Sequence, residues 1–190
     1  MRSKILLALV ALLSFTITAS AQSKKDIKKF KIKSVSVSST DVNSEGNEKT
    51  RNDSYQKFDA NGEVIEDVEY NKDGTFKKKE TKKFNKNNDP VEEIIYDEKG
   101  DIKKKTVTEY NANNDKTVES VYDGTGKMTE KTMYVYNAKG EKTVEITSDD
   151  KGATIKKMLY AYDKNSMKVE KKIFDSKGNL VSTKKYIYQY

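Results

Sequence analysis

From Phe58 onward, short runs alternating hydrophobic and polar residues are cut by one recurring punctuation: an aromatic, Asn or Asp, two free residues, then Gly or a stand-in. It begins at Phe58, Tyr70, Phe84, Tyr96, Tyr110, Tyr122, Tyr136, Ser148, Tyr162 and Phe174, and an aromatic returns at Tyr188. The intervals alternate between 12 and 14 residues, so the unit is 26 residues long. A two-residue alternation predicts strands with a more buried and a more exposed face, and fixed self-similarity of this length predicts a repeat array.

The punctuation has a mechanism. Asn or Asp opens a type I turn because its side chain bonds the backbone two residues on, and a residue of positive φ closes it so that the hairpin follows the strand twist. Seven of the nine glycines hold that closing position, and Asn88, Asn114 and Ser166 hold the other three. Each unit therefore reads as two hairpins. The turn-like Asn43-Ser44-Glu45-Gly46 leaves two readings open for residues 22–54. Either residues 27–40 form an opening strand of an extra hairpin, or the segment is a polar linker before a repeat domain at 55–190.

If each slot aromatic pairs with the residue six further on, the even spacings keep even-numbered residues opposite even-numbered ones. This register predicts every Tyr and Phe from Phe58 onward on one face. It sets Asp67 opposite Lys79, Glu93 opposite Lys105, Glu119 opposite Lys131 and Glu145 opposite Lys157, with Lys171 opposite Thr183. Across the alternate turns it sets Lys78 opposite Tyr96, Lys104 opposite Tyr122, Lys156 opposite Phe174 and Glu130 opposite Ser148. Glu66 then faces Glu80, a cation site in outline.

The expected fold is all-β: an antiparallel meander of eleven or twelve strands in an open, twisted, largely single-layer sheet. A coiled or closed barrel is the alternative. Lysines interrupt both faces, which argues against a membrane barrel.

Composition narrows the chemistry. The chain has no His, no Cys and no Trp, so disulfides, thiol nucleophiles, imidazole catalysis and the usual zinc sites are excluded. Neighbouring carboxylates such as Glu66-Asp67 and Glu92-Glu93 point to opposite faces of a strand. No cofactor or metal is expected, and the chain reads as non-enzymatic. The first residues resemble a secretory signal: Arg2 and Lys4, an apolar run from Ile5 to Ile17, then Ala19-Ser20-Ala21. That predicts a signal peptide at 1–21, export to the periplasm, outer surface or medium, and no membrane span. Its removal would lower the net charge from +7 to +5. That modest excess on a dense mixture of signs does not suggest a nucleic-acid groove.

The segments Tyr96-Asp97-Glu98-Lys99-Gly100-Asp101-Ile102 and Phe174-Asp175-Ser176-Lys177-Gly178-Asn179-Leu180 resemble the YD-repeat, or RHS-type, pattern of bacterial surface and secreted proteins. Similarity covers roughly residues 55–190. It implies a secreted β-repeat scaffold; this chain has no cargo domain of the kind that large RHS shells enclose.

Two features are candidates for binding. Tyrosines thicken toward the C-terminus as Tyr134, Tyr136, Tyr160, Tyr162, Tyr186, Tyr188 and Tyr190, a row on which sugars or a protein partner could stack. The runs Lys77-Lys78-Lys79 and Lys103-Lys104-Lys105 recur at equivalent positions and suit an anionic polymer. Cross-strand packing and protection of exposed sheet surface account for the same residues without a ligand. The expected role is a surface or periplasmic scaffold or interaction module, with a protein or glycan partner. A glycan- or anionic-polymer-binding protein is the alternative.

Overall fold

A computed structural model describes residues 23–42 and 45–189; the signal-like segment 1–21 and Tyr190 lie outside them. One short helix, α1 (Lys24–Phe30), precedes twelve strands. They are β1 (Ser34–Val42), β2 (Glu48–Phe58), β3 (Val64–Tyr70), β4 (Phe76–Phe84), β5 (Pro90–Tyr96), β6 (Ile102–Tyr110), β7 (Lys116–Asp123), β8 (Met128–Tyr136), β9 (Lys142–Asp149), β10 (Thr154–Tyr162), β11 (Lys168–Phe174) and β12 (Leu180–Lys185). They pair in chain order as one antiparallel, twisted sheet whose two ends do not meet. The meander and the open sheet stand, and the barrel alternative falls.

The extra hairpin forms between β1 and β2. Residues 24–30, however, are helical rather than part of an opening strand. Ser23 caps the helix by accepting from the Asp26 backbone N–H, and Lys31 ends it in the left-handed conformation. Ile27 packs down to 5% exposure, and the helix is tied to the first repeat turn by an ion pair between Lys24 and Glu63.

Every repeat turn has the expected geometry. The slot Asn or Asp donates its backbone N–H to the carbonyl four residues on and accepts from the closing residue, as in Asn71 to Thr75 and Gly74 to Asn71. In every repeat turn but that at Asn71, where Asp73 accepts from Thr75 instead, the slot side chain also accepts backbone N–H groups, as Asp97 does from Lys99 and Asp101 at 2.9 and 3.0 Å. Asn88, Asn114 and Ser166 adopt φ of 71°, 65° and 62°.

The register differs from the sequence expectation by one residue, for a clear reason. Tyr70 opposes Phe76 as expected, but Glu69 opposes Lys78, so no residue of β3 stands opposite Lys77 in the register. The same bulge follows every repeat turn, at Ile65, Lys77, Val91, Lys103, Thr117, Thr129, Thr143, Ile155, Val169 and Val181. A bulge adds one residue to one strand and bends it. All of these are β-branched except Lys77 and Lys103, which suits an extended backbone. The threonines add a bond: Thr117, Thr129 and Thr143 donate their hydroxyls to the carbonyls of Glu109, Val121 and Val135.

A one-residue slip inverts every face. Glu119 therefore opposes Thr132, not Lys131, while Asp67 opposes Glu80, Glu93 opposes Thr106, Glu145 opposes Met158 and Lys171 opposes Lys184. Tyr96, Tyr122, Ser148 and Phe174 oppose Lys79, Lys105, Lys131 and Lys157, and Glu66 opposes Thr81 rather than Glu80. Nor do the aromatics share one face. Opposed residues lie on the same face, so each bulge flips the parity and two per unit restore it. Phe58, Phe84, Tyr110, Tyr136 and Tyr162 lie on one side, termed the tyrosine face; Tyr70, Tyr96, Tyr122 and Phe174 lie on the other, termed the lysine face.

A single layer leaves little to bury. Among the described residues the buried apolar side chains are Ile27, Phe58, Val68 and Met158. Cohesion therefore rests on the strand ladders and on side chains bridging neighbouring strands, each cross-strand pair contributing about 0.2–1 kcal/mol.

Candidate functional site

Apart from Tyr190, which lies outside the described residues, the tyrosines singled out in the sequence lie at or just beyond strand ends on the tyrosine face, and they divide into two structural roles. Tyr136 donates its hydroxyl to the carbonyl of Lys116 at 2.8 Å, Tyr162 to that of Lys142 at 2.9 Å, and Tyr188 to that of Lys168 at 2.8 Å. Tyr110 does the same to Pro90 at 2.9 Å. Each accepting residue begins a strand at a point where pairing to the following strand has already stopped; β7 and β8, for example, part after Val118 and Met133. A tyrosine from the end of the departing strand thus satisfies a carbonyl the ladder leaves open.

Tyr134, Tyr160 and Tyr186 instead enter an alternating stack with lysines. Lys116 sits 5.7 Å from the centre of the Tyr134 ring, and Lys142 lies 5.1 Å from Tyr134 and 4.8 Å from Tyr160. Lys168 lies 5.0 Å from Tyr160 and 5.9 Å from Tyr186, and Lys171 is 5.5 Å from Tyr160. Contacts of this kind contribute about 0.5–1 kcal/mol at exposed sites. Glutamates close the network: Lys116 pairs with Glu119 and Lys142 with Glu145, both at 2.7 Å, and the Tyr160 hydroxyl donates to Glu145 at 2.9 Å. The lysine partners were not legible in the sequence. Lys116, Lys142 and Lys168 sit at the first residue of β7, β9 and β11, where earlier units have Val64 and Pro90.

The network shifts titration. Burial pushes the Tyr134 phenol up, helped by Glu119 and Glu145, and it pushes Tyr160 up together with the bond to Glu145. Tyr110, Tyr136 and Tyr162 are also raised, chiefly by burial. Burial opposes ionisation of Glu145 too, but the bonds from Lys142 and Tyr160 hold it net below the usual carboxylate range. Folding thus favours neutral phenols. The stability they confer is intact below the unfolded tyrosine value near pH 10 and is lost as pH climbs toward the folded values. Urea midpoints should therefore fall above about pH 10, with tyrosinate absorbance lagging that of the unfolded chain. Coincident titration of folded and unfolded protein would contradict this arrangement.

A sugar stacking on Tyr134 or Tyr160 would have to displace lysines already over those rings. Tyr186 and Tyr188 are more open, at 36% and 39% exposure. The lysine runs are also partly engaged: Lys77 and Lys78 pair with Glu69 at 2.9 and 3.1 Å, Lys79 with Glu66 at 2.9 Å, and Lys105 with Glu92 at 2.7 Å.

The lysine face is less satisfied in β7–β10. Val118 opposes Met133, which opposes Ile146, and Val144 lies between Val135 and Leu159. These six apolar side chains form a continuous patch, with Met133 and Val135 at 44% and 50% exposure. Lys131 and Lys157, both exposed, border it on β8 and β10. Among the described residues no three potential metal-ligating side chains cluster, and no helix is long and apolar enough to cross a membrane.

No family model and no curated protein matches the chain. Similar solved structures include a protein of unknown function from Bacteroides fragilis, 18% identical over 56% of this chain and 90% of that one, with a TM-score of 0.43. A porin-like protein from Bacteroides uniformis is 16% identical over 80% of this chain and 49% of its own length, with a TM-score of 0.31. The Photorhabdus luminescens Tc holotoxin pore is 8% identical over 78% of this chain and 9% of that one, with a TM-score of 0.33.

Proposed function

We propose that this protein is an exported, non-catalytic β-repeat scaffold that engages a partner at the cell surface or in the periplasm through its lysine face. The carrying observation is the asymmetry of the two faces in the C-terminal half. Tyrosine hydroxyls, lysines and glutamates satisfy one another on one side, while Met133 and Val135 stand open on the other beside Lys131 and Lys157. Apolar surface of that kind, rimmed by charge, marks interaction sites. The YD-type turns and the signal-like N-terminus support the exported setting.

Lysine acylation in the presence of a cell-envelope fraction tests the reading. Lys131 and Lys157 should be protected while Lys116 and Lys142 react as in the free protein. Protection confined to Lys168 and the neighbourhood of Tyr186 and Tyr188 would favour the glycan-binding alternative on the tyrosine row. Protection nowhere would remove the interaction role.

A further inference from the structure

The repeat itself shows what is unusual about Lys131 and Lys157. On the lysine face, a lysine recurs every 26 residues at Lys79, Lys105, Lys131 and Lys157. In the first two units the residue 13 positions earlier is an acid, and the ion pairs Glu66–Lys79 and Glu92–Lys105 form at 2.9 and 2.7 Å. In the next two units that position holds Val118 and Val144. The array thus keeps the cation, drops the anion and puts a valine in its place, twice in succession. One unit later the acid returns as Glu170 while the lysine becomes Thr183. Among the described residues neither Lys131 nor Lys157 has an ion-pair partner, and Glu109, which opposes Val118, does not reach Lys131.

Two lysines without an ion-pair partner, two strands apart and offset by two residues, since Lys131 opposes Ser148 and Lys157 opposes Ile146, therefore border an apolar floor that faces solvent. A second copy of this chain fits poorly, because a two-fold contact would set these lysines against each other. A small amphiphile also fits poorly, because among the described residues nothing roofs the patch and most of its tail would stay in water. We propose that this face docks on a lipid leaflet containing anionic phospholipid, with Lys131 and Lys157 at the headgroups and Met133 and Val135 against the upper acyl region. This rests on the reading of the lysine face as the interaction surface and names its partner.

Cosedimentation of the full chain with phosphatidylglycerol–phosphatidylcholine vesicles tests it. Binding is expected to these vesicles and not to phosphatidylcholine alone, and to weaken with salt. The Lys131→Gln/Lys157→Gln variant should bind about thirtyfold more weakly, at about 1 kcal/mol per lysine near a charged leaflet. Val144→Glu, which restores for Lys157 the acid that Lys79 and Lys105 have, should also weaken binding while the melting temperature holds. Equal binding to neutral vesicles, unchanged binding by the double glutamine variant, or displacement by inorganic phosphate would each overturn the proposal. Protection of these lysines by the envelope fraction without vesicle binding would leave the interaction role standing and remove the lipid. Loss of both would remove the two together.

Discussion

Gly124→Ala should lower stability by about 1–3 kcal/mol, the range for forcing extra atoms into a filled space. Gly124 is unlike the other turn glycines, because its φ is not positive and its constraint is space rather than backbone freedom. A Cβ there would fall well inside van der Waals contact with the Ile102 carbonyl oxygen, and backbone cannot yield as a flexible side chain would. β6 and β7 remain paired out to Lys104 and Asp123, as β8 and β9 do to Glu130 and Asp149, one residue further than β4 and β5, which end at Lys79 and Tyr96. Asp150 is accommodated at the same place in the next unit, so the alanine should be costly rather than prohibitive. Urea midpoints provide the measurement, and a variant as stable as the parent would show that the approach is not so close.

Gly100→Val should cost about 1–2 kcal/mol or more, whereas Gly100→Asn should cost a few tenths. Here space is not the issue, since nothing lies within 4 Å of an added Cβ. The penalty comes from φ of +84°, where a β-branched side chain is strongly disfavoured and Asn is tolerated. Asn88 and Asn114 already demonstrate that tolerance at equivalent turns. Hydrogen exchange at the Gly100 amide, which donates to Asp97 at 3.0 Å, should report the local opening. Equal loss for both variants would mean that the turn depends on something other than left-handed backbone.

The turns, the strand count and the meander were legible in the sequence because each depends on local chemistry. An Asx side chain folds back on its own backbone, a closing residue tolerates positive φ, and a 12- or 14-residue spacing leaves one strand's length between turns. Neighbouring strands then pair because nothing longer connects them. Helix α1 also left a local mark, in Ser23 followed three residues later by Asp26, but reading residues 27–40 as one strand drew the boundary of β1 too early. The faces were another matter. They depend on where a backbone hydrogen bond is skipped, and the bulge after each turn carries only a faint mark, a β-branched residue in most units and a lysine in two. Reading even against even therefore placed all the aromatics together and paired Glu119 with Lys131. In the sheet the aromatics alternate between faces, Glu66 rather than Asp67 meets Lys79, and tyrosines clamp lysines that the sequence left unremarked. The sequence by itself determined how many strands there are and where each one turns, since those are properties of a few adjacent residues. Only the tertiary structure decided which side chains stand together, because a single extra residue in a strand, invisible to spacing, inverts everything beyond it.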